Sequence, residues 1–254
     1  MYPYVAVIFI NRKGICGGSI ISHRTILTAA HCTIERGKKG HLKPDAFEVR
    51  LGSSFFNHGV LYKVCKVVPH ELYSRSLYFY DIAVLMLGRR IKFGSSVRKV
   101  GIAPDNTWRK EKYSFTVAGF GMVSVSLWQS DVSAKLRATR MKYVESRTCN
   151  QSQSSKPMIV PDHMFCMIGQ RWTSDCFGDS GSGIVWKGYL VGIVATGRDN
   201  FCGGDMMPSM YTDVYFFRQW IESKIIEADA LTNRDCDSAT EMKAKRKILY
   251  RSNS

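Results

Sequence analysis

Three short stretches of this sequence carry side chains suited to nucleophilic catalysis. Thr28-Ala29-Ala30-His31-Cys32 presents an imidazole directly after small residues. Asp81-Ile82-Ala83-Val84-Leu85 sets one carboxylate at the head of an apolar run. Gly178-Asp179-Ser180-Gly181-Ser182 sets a hydroxyl in a glycine-flanked turn. A serine hydroxyl is a poor nucleophile at neutral pH, and a neighbouring imidazole that takes its proton during attack overcomes this. Glycines beside the serine permit a tight turn whose backbone N–H groups can face a developing oxyanion. Alone, each stretch has an ordinary explanation: a turn, a core or surface histidine, the end of a loop. All three together, in the order His, Asp, Ser, form a much narrower pattern.

The elements that must hold these residues read as short strands. Tyr4 to Ile10, Phe47 to Leu51, Leu61 to Val68, Ile82 to Leu87, Ser114 to Ala118, Gly183 to Trp186, Leu190 to Ala195 and Ser209 to Val214 are rich in β-branched and aromatic residues. Gly, Pro, Asn and Ser border them. Short strands at this spacing predict a barrel or sandwich rather than alternating β and α units. One helix is predicted, from Tyr215 to Ala230, where Phe217, Ile221, Ile225 and Ala228 form one apolar stripe. No internal repeat is apparent.

With 254 residues, 45% hydrophobic and 22% charged, the chain is long enough to bury a full core as one structural unit. Its 36 Lys and Arg against 21 Asp and Glu give a formal charge of +15, which favours acidic partners and says nothing of the fold. The stretch from Arg89 to Lys112 holds Arg89, Arg90, Lys92, Arg98, Lys99, Arg109, Lys110 and Lys112 against Asp105 and Glu111. It is a candidate site for a polyanion such as heparin, with a solvated loop-rich face as the plainer reading. No run approaches the roughly 18 apolar residues of a membrane span, so none is expected. Nothing before Val5 looks like a signal peptide. The eight cysteines show no Cys-x2-4-Cys spacing of the kind zinc sites use, and their scatter through a β-rich chain points to disulfides and an oxidising compartment.

Together with Cys16-Gly17-Gly18-Ser19 ahead of His31, the three stretches resemble the chymotrypsin-like (trypsin-fold) serine peptidases, from Pro3 to about Ile226. The order His, Asp, Ser distinguishes that family from subtilisins and α/β-hydrolases. The resemblance implies an all-β fold, two six-stranded antiparallel β-barrels with a cleft between them and a C-terminal helix. It places this domain at 1–226, followed by a partly flexible extension at 227–254. It implies a secreted endopeptidase working through an acyl-enzyme, without cofactor or metal. His31 would be general base and then acid, Asp81 would fix its tautomer, and Ser180 would attack. The N–H groups of Gly178 and Ser180 would form the oxyanion hole. It pairs Cys16 with Cys32, Cys149 with Cys166 and Cys176 with Cys202. Cys65 and Cys236 are left over, to pair together, stay free or bridge to another chain. Implied partners are protein or peptide substrates and protein inhibitors, with no specific nucleic acid; the oligomeric state is not readable.

Departures from the family pattern keep a second reading open, a catalytically silent homologue that binds through the same surface. Ser182-Gly183 replaces the usual Gly-Pro, and Ala195-Thr196-Gly197 replaces Ser-Trp-Gly. Family members expose an Ile-Val-Gly-Gly-type terminus whose ammonium inserts beside the aspartate before the nucleophile, here Asp179. Tyr2-Pro3-Tyr4-Val5 matches the first strand after that terminus, so either the sequence starts downstream of it or the switch is missing. The primary specificity pocket aligns with Ser174, Asp175, Gly197 and Ser209. The only acid nearby is Asp175, one position later than in trypsin-like members. Turned inward it favours Arg or Lys before the scissile bond; turned away it leaves a neutral pocket for large apolar residues.

Overall fold

Alternation of buried and exposed residues shows how the strands are used. In Phe47–Leu51, Phe47, Val49 and Leu51 are buried while Glu48 and Arg50 face outward, the two-residue period of a strand packed on one side. Every residue of Ala83–Leu87 is buried. The computed structural model describes residues 2–12, 14–35, 40–111, 113–122, 133–151, 159–169, 175–196, 208–232 and 235–236. Strands β1 (Val5–Ile10), β2 (Gly14–Ile20), β3 (Thr25–Thr28), β4 (Phe47–Leu51), β5 (Val60–Pro69) and β6 (Ala83–Leu87) close into one barrel in the order β1-β2-β3-β6-β5-β4. Strands β7 (Gly101–Ile102), β8 (Phe115–Gly119), β9 (Arg137–Val144), β10 (Met164–Gly169), β11 (Gly183–Trp186), β12 (Tyr189–Thr196) and β13 (Ser209–Asp213) form a second sheet, ordered β11-β8-β9-β10-β13-β12-β7. Pairing of β11 with β12 closes six of these into a barrel, and β7 runs parallel to β12 at its edge. Closure removes free edges, and the expected pair of six-stranded antiparallel barrels is present.

Each barrel is filled by its own side chains. Ile8, Ile20, Ile26, Leu27, Val49 and Leu85 fill the first, and Trp108, Phe115, Phe165 and Tyr211 the second. A short helix, α1 (Ser146–Gln151), precedes β10, and α2 (Arg218–Ala230) ends the barrel domain. The latter begins at Arg218 rather than at Tyr215. Asp213 Oδ1 accepts hydrogen bonds from the N–H groups of Tyr215 (2.8 Å) and Phe216 (3.3 Å), which hold these residues in a turn. The apolar stripe is used as predicted, with Phe217, Ile221 and Ala228 buried.

Disulfides join Cys16 to Cys32, Cys149 to Cys166 and Cys65 to Cys236. The last resolves the pair that the sequence left open. It fastens the segment after α2 to β5 across a sequence separation of 171, a loop whose closure is worth roughly 5 kcal/mol in the chain-entropy account. Cys176 is also disulfide-bonded; its expected partner, Cys202, lies outside the described residues.

Candidate active site

Strand register brings His31 to Asp81. β3 and β6 pair antiparallel with Thr28 opposite Ala83. The chain leaving Thr28 and the chain entering Ala83 therefore share one end of the first barrel. His31 follows β3 in a single 3-10 turn, Ala30–Thr33. Asp81 is fully buried, and its carboxylate meets His31 twice. Oδ1 accepts the His31 backbone N–H (2.8 Å) and Oδ2 accepts from Nδ1 (2.7 Å). A proton held on Nδ1 leaves Nε2 as an acceptor, the tautomer a general base requires. The second barrel contributes Thr212, whose Oγ1 donates to the Asp81 carbonyl (2.9 Å).

Ser180 lies on the loop between β10 and β11, in the second barrel, and is pinned to the first barrel by a hydrogen bond from Gly17 N to its carbonyl (2.7 Å). The loop reverses at Gly178 (φ 96°) and Gly181 (φ 84°), conformations that glycine adopts without steric cost. A Cβ on Gly181 would come within 2.2 Å of Thr28 Oγ1 and 2.5 Å of the Gly17 carbonyl, so the close approach of the two barrels needs glycine there. Cys32 Sγ stands 3.8 Å from His31 Nε2 and 3.7 Å from the Ser180 carbonyl oxygen, which places the serine loop beside the imidazole. No Oγ–Nε2 hydrogen bond joins Ser180 to His31 in this structure; such bonds are often long before substrate enters. Among the described residues the N–H groups of Gly178 and Ser180 have no acceptor, whereas Asp179 N donates to the Cys176 carbonyl (2.9 Å). Two unengaged donors bracket the loop, as an oxyanion hole requires.

Asp179 points back into the protein. Its Oδ1 accepts from Gly121 N (2.8 Å) and its Oδ2 from Cys176 N (3.0 Å). Burial pushes its pKa up to about 6, against the pull of those two bonds. Ser182, the residue that departs from the family pattern, is buried with its hydroxyl unpartnered.

Asp175 is buried and accepts a hydrogen bond from the Tyr211 hydroxyl. Burial raises the pKa of both groups. Ser209, half-buried at the start of β13, also hydrogen-bonds to Tyr211, so the structure gathers Asp175 and Ser209 around one phenol. Ser174 and Gly197 lie outside the described residues, as does the side chain of Thr196. Tyr211 and Thr212 escaped the sequence reading because nothing in Ser209 to Val214 separates a strand core from a site. Tyr78, edge-on to the His31 ring at 5.9 Å, also gave no local cue. Cys16, His31 and Cys32 cluster closely, but both sulfurs are spent in a disulfide, and metal ligation needs thiolates.

Comparison with known proteins agrees with this geometry. The Trypsin family model matches residues 1–221. Trypsin theta of Drosophila melanogaster is 30% identical over 207 residues, covering 81% of this chain and 74% of its own length. Human transmembrane protease serine 11A is 29% identical over 229 residues, 88% of this chain and 52% of its own. The solved structure of neuropsin, a serine protease of mouse brain, superposes with a TM-score of 0.73 at 25% identity, covering 88% of this chain and 95% of that one. With two closed barrels, a carboxylate-bound histidine and a glycine-flanked serine at their junction, the chain belongs to the trypsin family of serine endopeptidases.

Proposed function

We propose that the protein is a secreted endopeptidase that cleaves peptide bonds through an acyl-enzyme on Ser180. His31 acts as base and then acid, Asp81 orients it, and the N–H groups of Gly178 and Ser180 receive the oxyanion. The observation that carries this reading is the double hydrogen bond from His31 to the buried Asp81, made where the Ser180 loop crosses between barrels. Secretion is supported by the disulfides. No helix among the described residues is long and apolar enough to cross a membrane. Partners are then protein substrates and protein inhibitors. In the basic stretch, Arg90 pairs with Asp229 and Arg109 with Asp213. For the rest of the stretch a solvated loop-rich face is the plainer reading, with a polyanion such as heparin as the alternative.

For specificity we propose Arg or Lys before the scissile bond, with Asp175 as the recognising acid. A carboxylate kept from water and pushed toward its neutral form gains most from a cation that restores its charge. Because its pKa is raised, the cationic preference should grow as pH rises and Asp175 ionises. A positional-scanning peptide library tests this. The expected result is an Arg/Lys preference that disappears in Asp175→Ser. A preference for Phe, Tyr or Leu in the unaltered enzyme would overturn it.

A further inference from the structure

Tyr80, the residue before Asp81, is held in an unusual way. Its φ is 55°, a left-handed conformation that costs a bulky residue about 1–3 kcal/mol and persists only when its surroundings fix it. Its carbonyl accepts Ile82 N (2.8 Å) across Asp81, so the turn bearing the carboxylate is tight. What fixes the turn is a stack of rings. His163 lies nearly parallel to the Tyr80 ring, with centroids 4.4 Å apart and an interplanar angle of 14°. His70 stacks on the same ring at 5.2 Å and 21°. Phe217 packs edge-on against all three.

His163 comes from the second barrel. Its carbonyl accepts Asp213 N (3.0 Å), and the neighbouring Thr212 donates to the Asp81 carbonyl. The second barrel therefore grips the Asp81 turn at two adjacent points, one a hydrogen bond and the other a ring face. The His163 side chain is buried and its Nε2 has no partner. An unsatisfied buried nitrogen is a cost, and the contacts the imidazole does make are through its ring, parallel to Tyr80 and edge-on to Phe79 and Phe217. Protonation would place a buried cation there whose Nε2–H lacks an acceptor.

We propose that His163 is a positioning residue for the Asp81–His31 pair: its neutral ring, stacked on Tyr80, holds the strained turn against the second barrel, and protonation releases it. The proposal rests on the reading of that pair as catalytic. The titratable and charged groups around the stack are Asp162 and Tyr80 beside His163, Glu71 and Lys224 beside His70, and the two histidines themselves. Burial lowers the pKa of both histidines below 6.5. As pH falls below about 6.5 the unfolded chain gains protons that the folded stack resists, so the stack is stable above that value and weakens beneath it.

The test compares His163→Ala and His163→Phe in the full chain extended to begin Ile-Val-Gly-Gly, the form in which the Asp179 partner is present. One readout is the low-field proton resonance of the His31 Nδ1–H bond to Asp81; the other is kcat and KM on a peptide ester. His163→Ala should lower kcat about 10- to 100-fold with KM nearly unchanged, and should broaden the resonance. His163→Phe, which stacks but cannot titrate, should restore both at about pH 8. It should also hold the resonance to lower pH than the unaltered protein, with one proton fewer in the acid limb. If His163→Ala fails to fold, the phenylalanine variant decides alone. An alanine variant with normal kcat and resonance would overturn the proposal, as would a phenylalanine variant with the unaltered acid profile. Failure of the unaltered enzyme to cleave the ester would count against the peptidase reading, while the resonance would still test the positioning role.

Discussion

Replacing Asp81 by asparagine should lower kcat about ten-thousand-fold with little change in KM, the loss that this change produces in chymotrypsin-like enzymes. The reason is visible in the two hydrogen bonds. Both partners of the carboxylate are donors, His31 N and His31 Nδ1, and only a group with two acceptor oxygens satisfies both. An asparagine turns its N–H2 toward one of them. If it faces Nδ1, the imidazole must carry its proton on Nε2, and a protonated Nε2 cannot accept the Ser180 proton. If it faces the backbone N–H, a donor meets a donor at a fully buried position, costing about 1–3 kcal/mol. Steady-state hydrolysis of a peptide ester by enzyme titrated for folded sites measures this. A loss below tenfold would mean that Asp81 does not set the tautomer of His31.

The second large effect concerns Asp179. Its carboxylate has two backbone N–H donors and burial has pushed its pKa to about 6. A cation beside it would draw that pKa down and stabilise the loop that carries Gly178 and Ser180. In this family the cation is a newly exposed terminal ammonium. Loss of one partner of a buried ion pair costs about 3–5 kcal/mol, which in a rate is roughly a hundred- to several-thousand-fold. A version beginning Ile-Val-Gly-Gly ahead of this sequence should therefore cleave esters faster than the sequence as given by that factor. Its advantage should fade above about pH 8, where an α-amino group loses its proton. Comparable rates in the two forms would show that the two backbone donors alone keep the loop ordered.

Local chemistry made part of this molecule legible from its residues. The segments around His31, Asp81 and Ser180 are contiguous, so their types and order survive without knowledge of the fold. Strands that alternate cleanly, such as Phe47–Leu51, or run fully apolar, such as Ala83–Leu87, declare themselves for the same reason. β2 did not, because three of the residues in Gly14–Ile20 are glycines, poor strand formers; at Gly17 the missing side chain admits Ser182 of the second barrel, and at Gly18 it admits Ile8 and Ile26 of the first. β9 was hidden by its basic residues, Arg137 at its exposed start and Arg140 and Lys142 on its outward face, in a run with few β-branched residues. β10 was hidden by Met and Cys, which carry little strand preference of their own.

What the sequence withheld is non-local. Cys65 and Cys236 stand 171 residues apart, and connectivity does not follow from spacing. His163 meets Tyr80 only after both barrels have closed. The direction of Asp175 depends on Tyr211, a residue of another strand. In each case a pairing of strands had to be known before the side chains could be placed.

The central claim, that Ser180 is an activated nucleophile, is tested most directly by a fluorophosphonate probe followed by peptide mapping. The probe reacts with a serine only where a base removes its proton and N–H donors hold the phosphoryl oxygen. On the form beginning Ile-Val-Gly-Gly, the expected result is one labelled peptide, modified at Ser180, with no labelling in Ser180→Ala. No label on the unaltered residue, or equal label in the alanine variant, would contradict the assignment.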